Sequence, residues 1–215
     1  MVNVLASSSD EFQLVRTQGE VIDEITGKVI RLIGANAKEE EDKSLFDDCL
    51  LANNGFFFCS GAYMLKIETL RMLTDLNIYT EKNAGQNWQL LLPILYHYRC
   101  KTILKPLYTV VARTDSYSRG QCSGYDSSVR KYKSFFNTQI ETLKRIKTFP
   151  KNKIESYESL LKVDYGWKLY HIALMEGTSK NSRQSLTLIQ DNSIGCTRTM
   201  ATVLGACEAG GDIFA

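Results

Sequence analysis

The pattern of apolar and polar positions divides this chain into a strand-rich first half and a helical remainder. Two β-prone stretches, Phe12–Ile22 and Lys28–Ile33, flank the turn Asp23-Glu24-Ile25-Thr26-Gly27 and predict a β-hairpin, with a glycine available for positive φ. The acidic run Glu39-Glu40-Glu41-Asp42 leads into Leu45–Leu51, a predicted short helix, because acids in a first turn complement the helix dipole. Phe56-Phe57-Phe58 predicts a strand that Gly61 ends, with Ala62–Leu65 continuing in extended form and Ile67–Leu73 forming a short helix. Trp88, Leu91, Leu92 and Leu95 recur at i, i+3, i+4 and i+7, one face of a helix in which Pro93 predicts a kink or a tightened first turn. Lys101–Leu104 and Leu107–Arg113 read as strands, with Pro106 marking an edge or a break between them.

Beyond Gly120–Gly124, which reads as a linker, the pattern turns helical. Val129, Tyr132, Phe136, Ile140 and Leu143 form one apolar stripe, ended by Pro150. Leu160, Val163, Trp167, Tyr170 and Leu174 form a second. Two such stripes predict an antiparallel helical hairpin. The last twenty residues lose periodicity and are expected to be loose. No internal repeat is visible, and the chain divides into 1–120, a mixed α/β domain, and 121–215, a helical extension with a loose tail.

Composition changes this picture little. At 215 residues the chain can bury a sizeable core, and 44% apolar with 23% charged residues is ordinary for a soluble globular protein. A net charge of +2 does not by itself argue for nucleic acid. No apolar run approaches the ~18 residues of a membrane span, and residues 1–10 lack the basic start and apolar core of a signal peptide. A cytoplasmic location is the expectation. The six cysteines include no Cys-x-x-Cys pair and are expected to be free thiols, several buried as small hydrophobes. His97 and His171 are isolated in apolar helical runs and read as packing or surface residues; no cluster has metal-ligand spacing. The acidic run Glu39–Asp42 reads as a solvated loop and helix start, not a metal site.

The richest stretch runs from Gly55 to Arg119. Ser-Gly-Ala-Tyr-Met (Ser60–Met64), Asn-Trp-Gln-Leu-Leu-Leu-Pro (Asn87–Pro93) and Lys-Pro-Leu-Tyr (Lys105–Tyr108) follow in order, with an exit Arg113-Thr114-Asp115-Ser116-Tyr117-Ser118. That order resembles the acceptor-side half of the family 2 glycosyltransferases, enzymes of the GT-A fold that take sugars from nucleotide donors. The resemblance covers roughly residues 12 to 148. It implies an α/β fold, a partial GT-A-like mixed sheet with flanking helices, to which the residues themselves add the C-terminal helical hairpin.

Sugar transfer with inversion requires a metal or cation to neutralise the leaving diphosphate, a carboxylate to take the acceptor's proton, and a pocket that holds the acceptor in line. In this family the N-terminal strands, ending in Asp-x-Asp, hold the nucleotide and a divalent metal, manganese or magnesium. The chain has no Asp-x-Asp, since Asp47-Asp48 is adjacent rather than spaced. The donor half is therefore expected to be missing, with no cofactor in this chain and the nucleotide sugar and metal belonging to a full-length parent.

On the acceptor side, the resemblance places Ser60, Gly61 and Trp88 as acceptor-binding residues, because a small residue at the turn lets the backbone approach a sugar. Gln86 and Asn87 stand where many members carry a Glu-Asp pair that includes the catalytic base. An amide can cap a helix or bind a hydroxyl but accepts no proton at neutral pH. Asn87 thus reads either as an N-cap with Trp88 in the core or as a sugar-binding residue, which leaves Glu81 or Asp75, its neighbours in sequence, as the carboxylates to supply a base. Arg113 and Tyr117 correspond to the family's phosphate-facing exit motif, where Tyr117 replaces a histidine; Arg113 reads equally as a surface arginine closing a strand.

The resulting expectation is a fragment or truncated copy of a glycosyltransferase of polysaccharide biosynthesis, its partner a glycan or lipid-linked glycan, with the isolated chain inactive. The rival is a non-catalytic glycan- or protein-binding module. Arg130–Lys153 holds eight Lys or Arg and one acid, Glu141. That segment reads either as a solvated helical face or as a peripheral contact with the anionic inner face of a membrane. Nucleic acid is not expected, because base-stacking platforms are lacking. Strand edges left uncovered by a missing half predict a tendency to homodimerise.

Overall fold

Phe12–Asp23 forms one continuous strand, β1, with which every other described strand pairs. β2 (Val29–Ile33) lies antiparallel to its second half, and β3 (Tyr63–Leu65) antiparallel to Leu14–Arg16. β4 (Arg99–Ala112) runs parallel to β1 from end to end. Because β4 fills one edge of β1, β2 and β3 share the other. The computed structural model describes residues 1–40, 44–53, 55–81, 87–113 and 124–193. These fall into two units, Met1–Ile78 with Gln86–Ser116, and Tyr79–Gly85 with Tyr117–Ala215. The protein is mixed α/β, its strands in the first unit and its longest helices in the second.

The predicted hairpin forms, and Asp23 closes it by accepting the backbone and hydroxyl hydrogens of Thr26 at 2.7 and 2.8 Å. Leu14 and Val15 point to opposite faces of the sheet, and neither is exposed, so both faces of the first half of β1 are covered. Around this strand pack α1 (Val2–Ser7), α2 (Phe46–Leu51), α3 (Ile67–Thr74) and α4 (Asn87–His97). Leu50, Leu70, Leu91, Leu92, Ile94 and Leu95 make the core, each contributing about 2 kcal/mol by burial. Gln13 accepts the Thr69 hydroxyl at 2.8 Å and ties β1 to α3. The helix α4 runs through Pro93 to His97, and the buried proline ring costs one hydrogen bond to the carbonyl of Gln89.

Two strand expectations are corrected. Phe56–Phe58 is not a strand but an irregular segment wrapped around the side chain of Arg16. Lys101–Leu104 and Leu107–Arg113 are not two strands but parts of β4, which absorbs Pro106 in a bulge. Ile103 stands opposite Thr17, Pro106 opposite Gln18 and Tyr108 opposite Gly19, so β4 has extra residues there. The Thr17 hydroxyl donates to the carbonyl of Lys105 at 2.6 Å and seals the bulge. The edge position of β4 makes the missing proline N–H tolerable. On that edge Thr102 donates to Glu39 at 2.8 Å, while Lys101 pairs with Glu40 at 3.0 Å and Glu39 at 4.0 Å. Those acids of the predicted acidic run therefore hold a lysine; Glu41 and Asp42 lie outside the described residues.

The second unit holds α5 (Tyr125–Arg145), α6 (Lys151–Met175) and α7 (Ser179–Ser193). The predicted hairpin is α5 with α6. Tyr132 stacks on Tyr165 at 4.9 Å, and Phe149 meets Tyr157 at 5.8 Å, which sets the two helices antiparallel. Pro150 does not end α5, which stops at Arg145; its fixed φ of −65° instead starts α6. A third helix joins them, beyond the two that the stripes predict. It reaches α6 at Gly166, where an added Cβ would stand 2.7 Å from Cγ1 of Ile189, and α5 through the Tyr125 and Ser185 hydroxyls, 2.9 Å apart. Glu176 caps α5 by accepting the N–H of Tyr125 at 2.8 Å. The predicted linker, save Gly124, and the loose tail lie outside the described residues. Among the described residues no helix is long and apolar enough to cross a membrane.

Candidate functional site

Of the residues singled out on the acceptor side, Ser60, Gly61 and Asn87 meet where the Phe56–Ala62 segment crosses from the core to solvent. Ala62 N–H donates to the carbonyl of Cys59 at 2.9 Å, closing a turn around Ser60 and Gly61. Gly61 sits third in this turn with φ +89°, which a side chain at that position would strain. Both turn residues are exposed. The ring of Tyr108, from β4, comes within 3.5 Å of where a Cβ on Gly61 would stand. Gly61 is therefore needed for its backbone conformation, since a Cβ there would meet Tyr108 only at ordinary contact distance.

Asn87, the first residue of α4, holds this turn from the inside. Its amide donates to the carbonyl of Phe58 at 2.9 Å, and its carbonyl oxygen accepts the Tyr63 hydroxyl at 3.2 Å. One side chain thus grips the chain before and after Ser60–Gly61. The half-buried Trp88 donates its indole N–H to the carbonyl of Cys49 at 2.8 Å and fastens α4 to α2. Gln86 and Tyr117 lie outside the described residues. Arg113, exposed at the exit of β4, pairs with Glu24 of the hairpin turn at 3.5 Å.

Beneath the turn lies Arg16, only 3% exposed. Its guanidinium sits 4.1 Å from the ring centre of Phe57 and 5.2 Å from that of Phe58, and it donates to the Phe57 carbonyl at 3.2 Å and the Thr102 hydroxyl at 3.0 Å. This cation orders the aromatic run and thereby the turn that follows. Gly34, at φ +74°, makes room for Phe57; an added Cβ would lie 2.2 Å from its Cζ. Arg16, Tyr63 and Tyr108 are the site residues that the sequence reading missed. A lone arginine directly after Leu14 and Val15 in a strand, in a chain with three consecutive phenylalanines, was the available signal for the first.

Around the turn itself the groups are neutral hydrogen-bonding ones, with the Arg16 cation buried beneath them. Burial pushes the Cys59 thiol up, against a smaller opposing pull from Arg31, and pushes the Cys49 thiol well up. Burial also raises the Tyr63 hydroxyl. These groups are protonated at neutral pH and are not nucleophiles there. Of the two neighbouring carboxylates, Asp75 ends α3 in a left-handed conformation at φ 52°. Glu81 belongs to the second unit, where it accepts the Tyr79 hydroxyl at 3.0 Å. His97 and His171 are exposed, and Cys49, Cys59 and Cys100 are free thiols. Among the described residues no group of three or more His, Cys, Asp or Glu is placed to hold a metal. Comparison with family models, curated proteins and solved structures finds no match to the chain.

Proposed function

We propose that this chain is the acceptor-side portion of a family 2, nucleotide-sugar-dependent glycosyltransferase of the GT-A type, acting in polysaccharide synthesis. The observation that carries this reading is the exposed Ser60–Gly61 turn, gripped on both sides by Asn87 at the start of α4 and flanked by Tyr108 of β4. These are the three motifs of the sequence resemblance, brought to one place. In this reading Ser60 and Gly61 receive a glycan or lipid-linked glycan acceptor, Asn87 and Trp88 position them, and Arg113 lies on the phosphate side. The donor sugar nucleotide and its manganese or magnesium belong to chain that carries Asp-x-Asp, so these 215 residues alone transfer no sugar.

Thermal unfolding with uridine or guanosine diphosphate and manganese tests the missing donor site, with no shift expected. A metal-dependent shift, or turnover of any nucleotide sugar, overturns the reading. Titration with oligosaccharide tests the acceptor side, with binding expected and lost in Gly61→Val. A second reading, a non-catalytic glycan- or protein-binding module, is favoured by Asn87, whose amide is engaged in holding Phe58 and Tyr63 and takes no proton at neutral pH. Glycan binding without transfer, even when a donor half is supplied in trans, selects it.

A further inference from the structure

The eight basic residues of Arg130–Lys153 are not equivalent in the folded chain. Lys131 lies half-buried over Phe135 at 5.4 Å, and Arg145 lies half-buried over Tyr79 at 5.1 Å. The other six, Arg130, Lys133, Lys144, Lys147, Lys151 and Lys153, are exposed. Arg130, Lys133, Asn137, Glu141 and Lys144 follow one another at three- and four-residue steps and so share one outward stripe of α5. The stripe is about 21 Å long at 1.5 Å per residue, and Lys147, Lys151 and Lys153 extend the charge across the turn into α6. Glu141 is already held by Arg145 at 2.6 Å and Lys144 at 2.9 Å. Asp126 at one end and Glu155 at the other are the exposed acids that border the basic stretch.

Three of the four aromatic residues of the same segment pack against α6, and the fourth, Phe135, lies half-buried beneath Lys131. Tyr132 stacks on Tyr165, Phe136 lies beside Lys162, and Phe149 is buried against Tyr157. The stripe therefore offers charge without the stacking platforms that hold single-stranded nucleic acid. It is a convex row of cations along one helix, the shape that meets a flat array of phosphates. We propose that the α5 stripe and the α5–α6 turn dock this protein on a membrane surface rich in anionic lipid. The contact is electrostatic and peripheral, each cation near the surface strengthening it about fivefold. It rests on the charge arrangement of the second unit and stands independently of the glycosyltransferase reading.

Vesicle co-sedimentation of the full chain tests this. Phosphatidylcholine vesicles with and without ~30% phosphatidylserine are compared at low and at high salt. Binding is expected to the anionic vesicles alone and to disappear at high salt. The double variant Lys151→Glu/Lys153→Glu should weaken binding at least 25-fold, since two charges at about fivefold each are removed and then reversed. Acids are favourable in the first turn of α6, so the helix is kept in that variant. The variant Lys180→Glu/Arg183→Glu changes the net charge equally on exposed positions of α7 and should bind like the unaltered protein. Equal loss in both variants reduces the effect to net charge and overturns the docking surface. Binding to neutral vesicles as strong as to anionic ones, or no binding at low salt, overturns it as well. Tighter binding to single-stranded DNA than to anionic vesicles transfers the surface to a different partner and ends the lipid assignment.

Discussion

The two units of this protein are held together by different means. The sheet unit depends on polar pins between residues far apart in the chain: Arg16 to Thr102, Thr17 to Lys105, Trp88 to Cys49, and Asn87 to Phe58 and Tyr63. The helical unit has long-range pins of its own, Tyr165 to Gln139 and Tyr125 to Ser185, but rests more on apolar stripes, with Leu143, Leu161 and Ala173 fully buried, and on local pairs such as Glu141–Arg145 at i, i+4. A stripe tolerates the loss of one member by repacking, whereas a polar pin leaves its partner unsatisfied in the interior. The first unit, pinned on the buried Arg16, should therefore be the more brittle of the two.

Each unit carries one of the two tryptophans, Trp88 and Trp167, so their stabilities can be read separately by fluorescence in Trp167→Phe and Trp88→Phe backgrounds. The largest effect is expected for Arg16→Ala. It strands the Phe57 carbonyl and the Thr102 hydroxyl and empties the aromatic cage, at a cost of about 3 kcal/mol or more in the Trp88 transition. An equal shift of the Trp167 transition would show that the units unfold as one and break the comparison. Gly166→Ala should come next, at about 1–3 kcal/mol in the Trp167 transition, because the new methyl overlaps Ile189. A double-mutant cycle with Ile189→Ala should recover part of that loss.

Asn87→Ala should cost the sheet unit about 1–2 kcal/mol through two lost hydrogen bonds and abolish any glycan binding at Ser60–Gly61. Asn87→Asp retains an acceptor for Tyr63 but no donor for Phe58, and should restore little; full recovery of binding would remove the positioning role. The smallest effect concerns pH. Burial raises the pKa of Asp164 above 3.8 in spite of Lys168. Its folded value lies above its unfolded one, so its stabilising share is present below the unfolded value and is lost as pH rises through the folded value. Asp164→Asn should thus stabilise the helical unit at pH 7, by ~1 kcal/mol or less, and have no effect near pH 3. Glu141 behaves oppositely. Hydrogen bonds from Arg145 and Lys144 lower its pKa below 4.5, so its contribution is present at neutral pH and is lost as acid takes it through the folded value. Thermal melts of Asp164→Asn and Glu141→Gln across this range check both signs.

The elements with their own periodicity were readable before folding was considered. The Phe12–Ile33 hairpin, the short helices at Phe46 and Ile67, α4, and the α5–α6 pair all announce themselves within a window of about a dozen residues, because 3.6- and 2-residue repeats are local properties. The bulge at Pro106 was not readable, since what the proline does depends on a strand some ninety positions earlier offering Thr17 to the Lys105 carbonyl. Phe56–Phe58 misled for a related reason. Three phenylalanines have strong β propensity, but here their rings gather around a buried guanidinium instead. Helix α7 was missed because its buried side, Ser185 and Ile189, is too thin to leave a stripe.

The candidate site divides along the same line. Residue identity alone placed Ser60, Gly61, Asn87 and Trp88 in one motif series, and amide chemistry alone said that Asn87 would take no proton. Which atoms Asn87 holds, that Tyr108 closes over Gly61, and that Arg16 underlies the turn were decided by tertiary assembly. Hydrogen bonds of a few ångströms link positions that the chain separates by twenty to ninety residues, and no local pattern encodes that proximity.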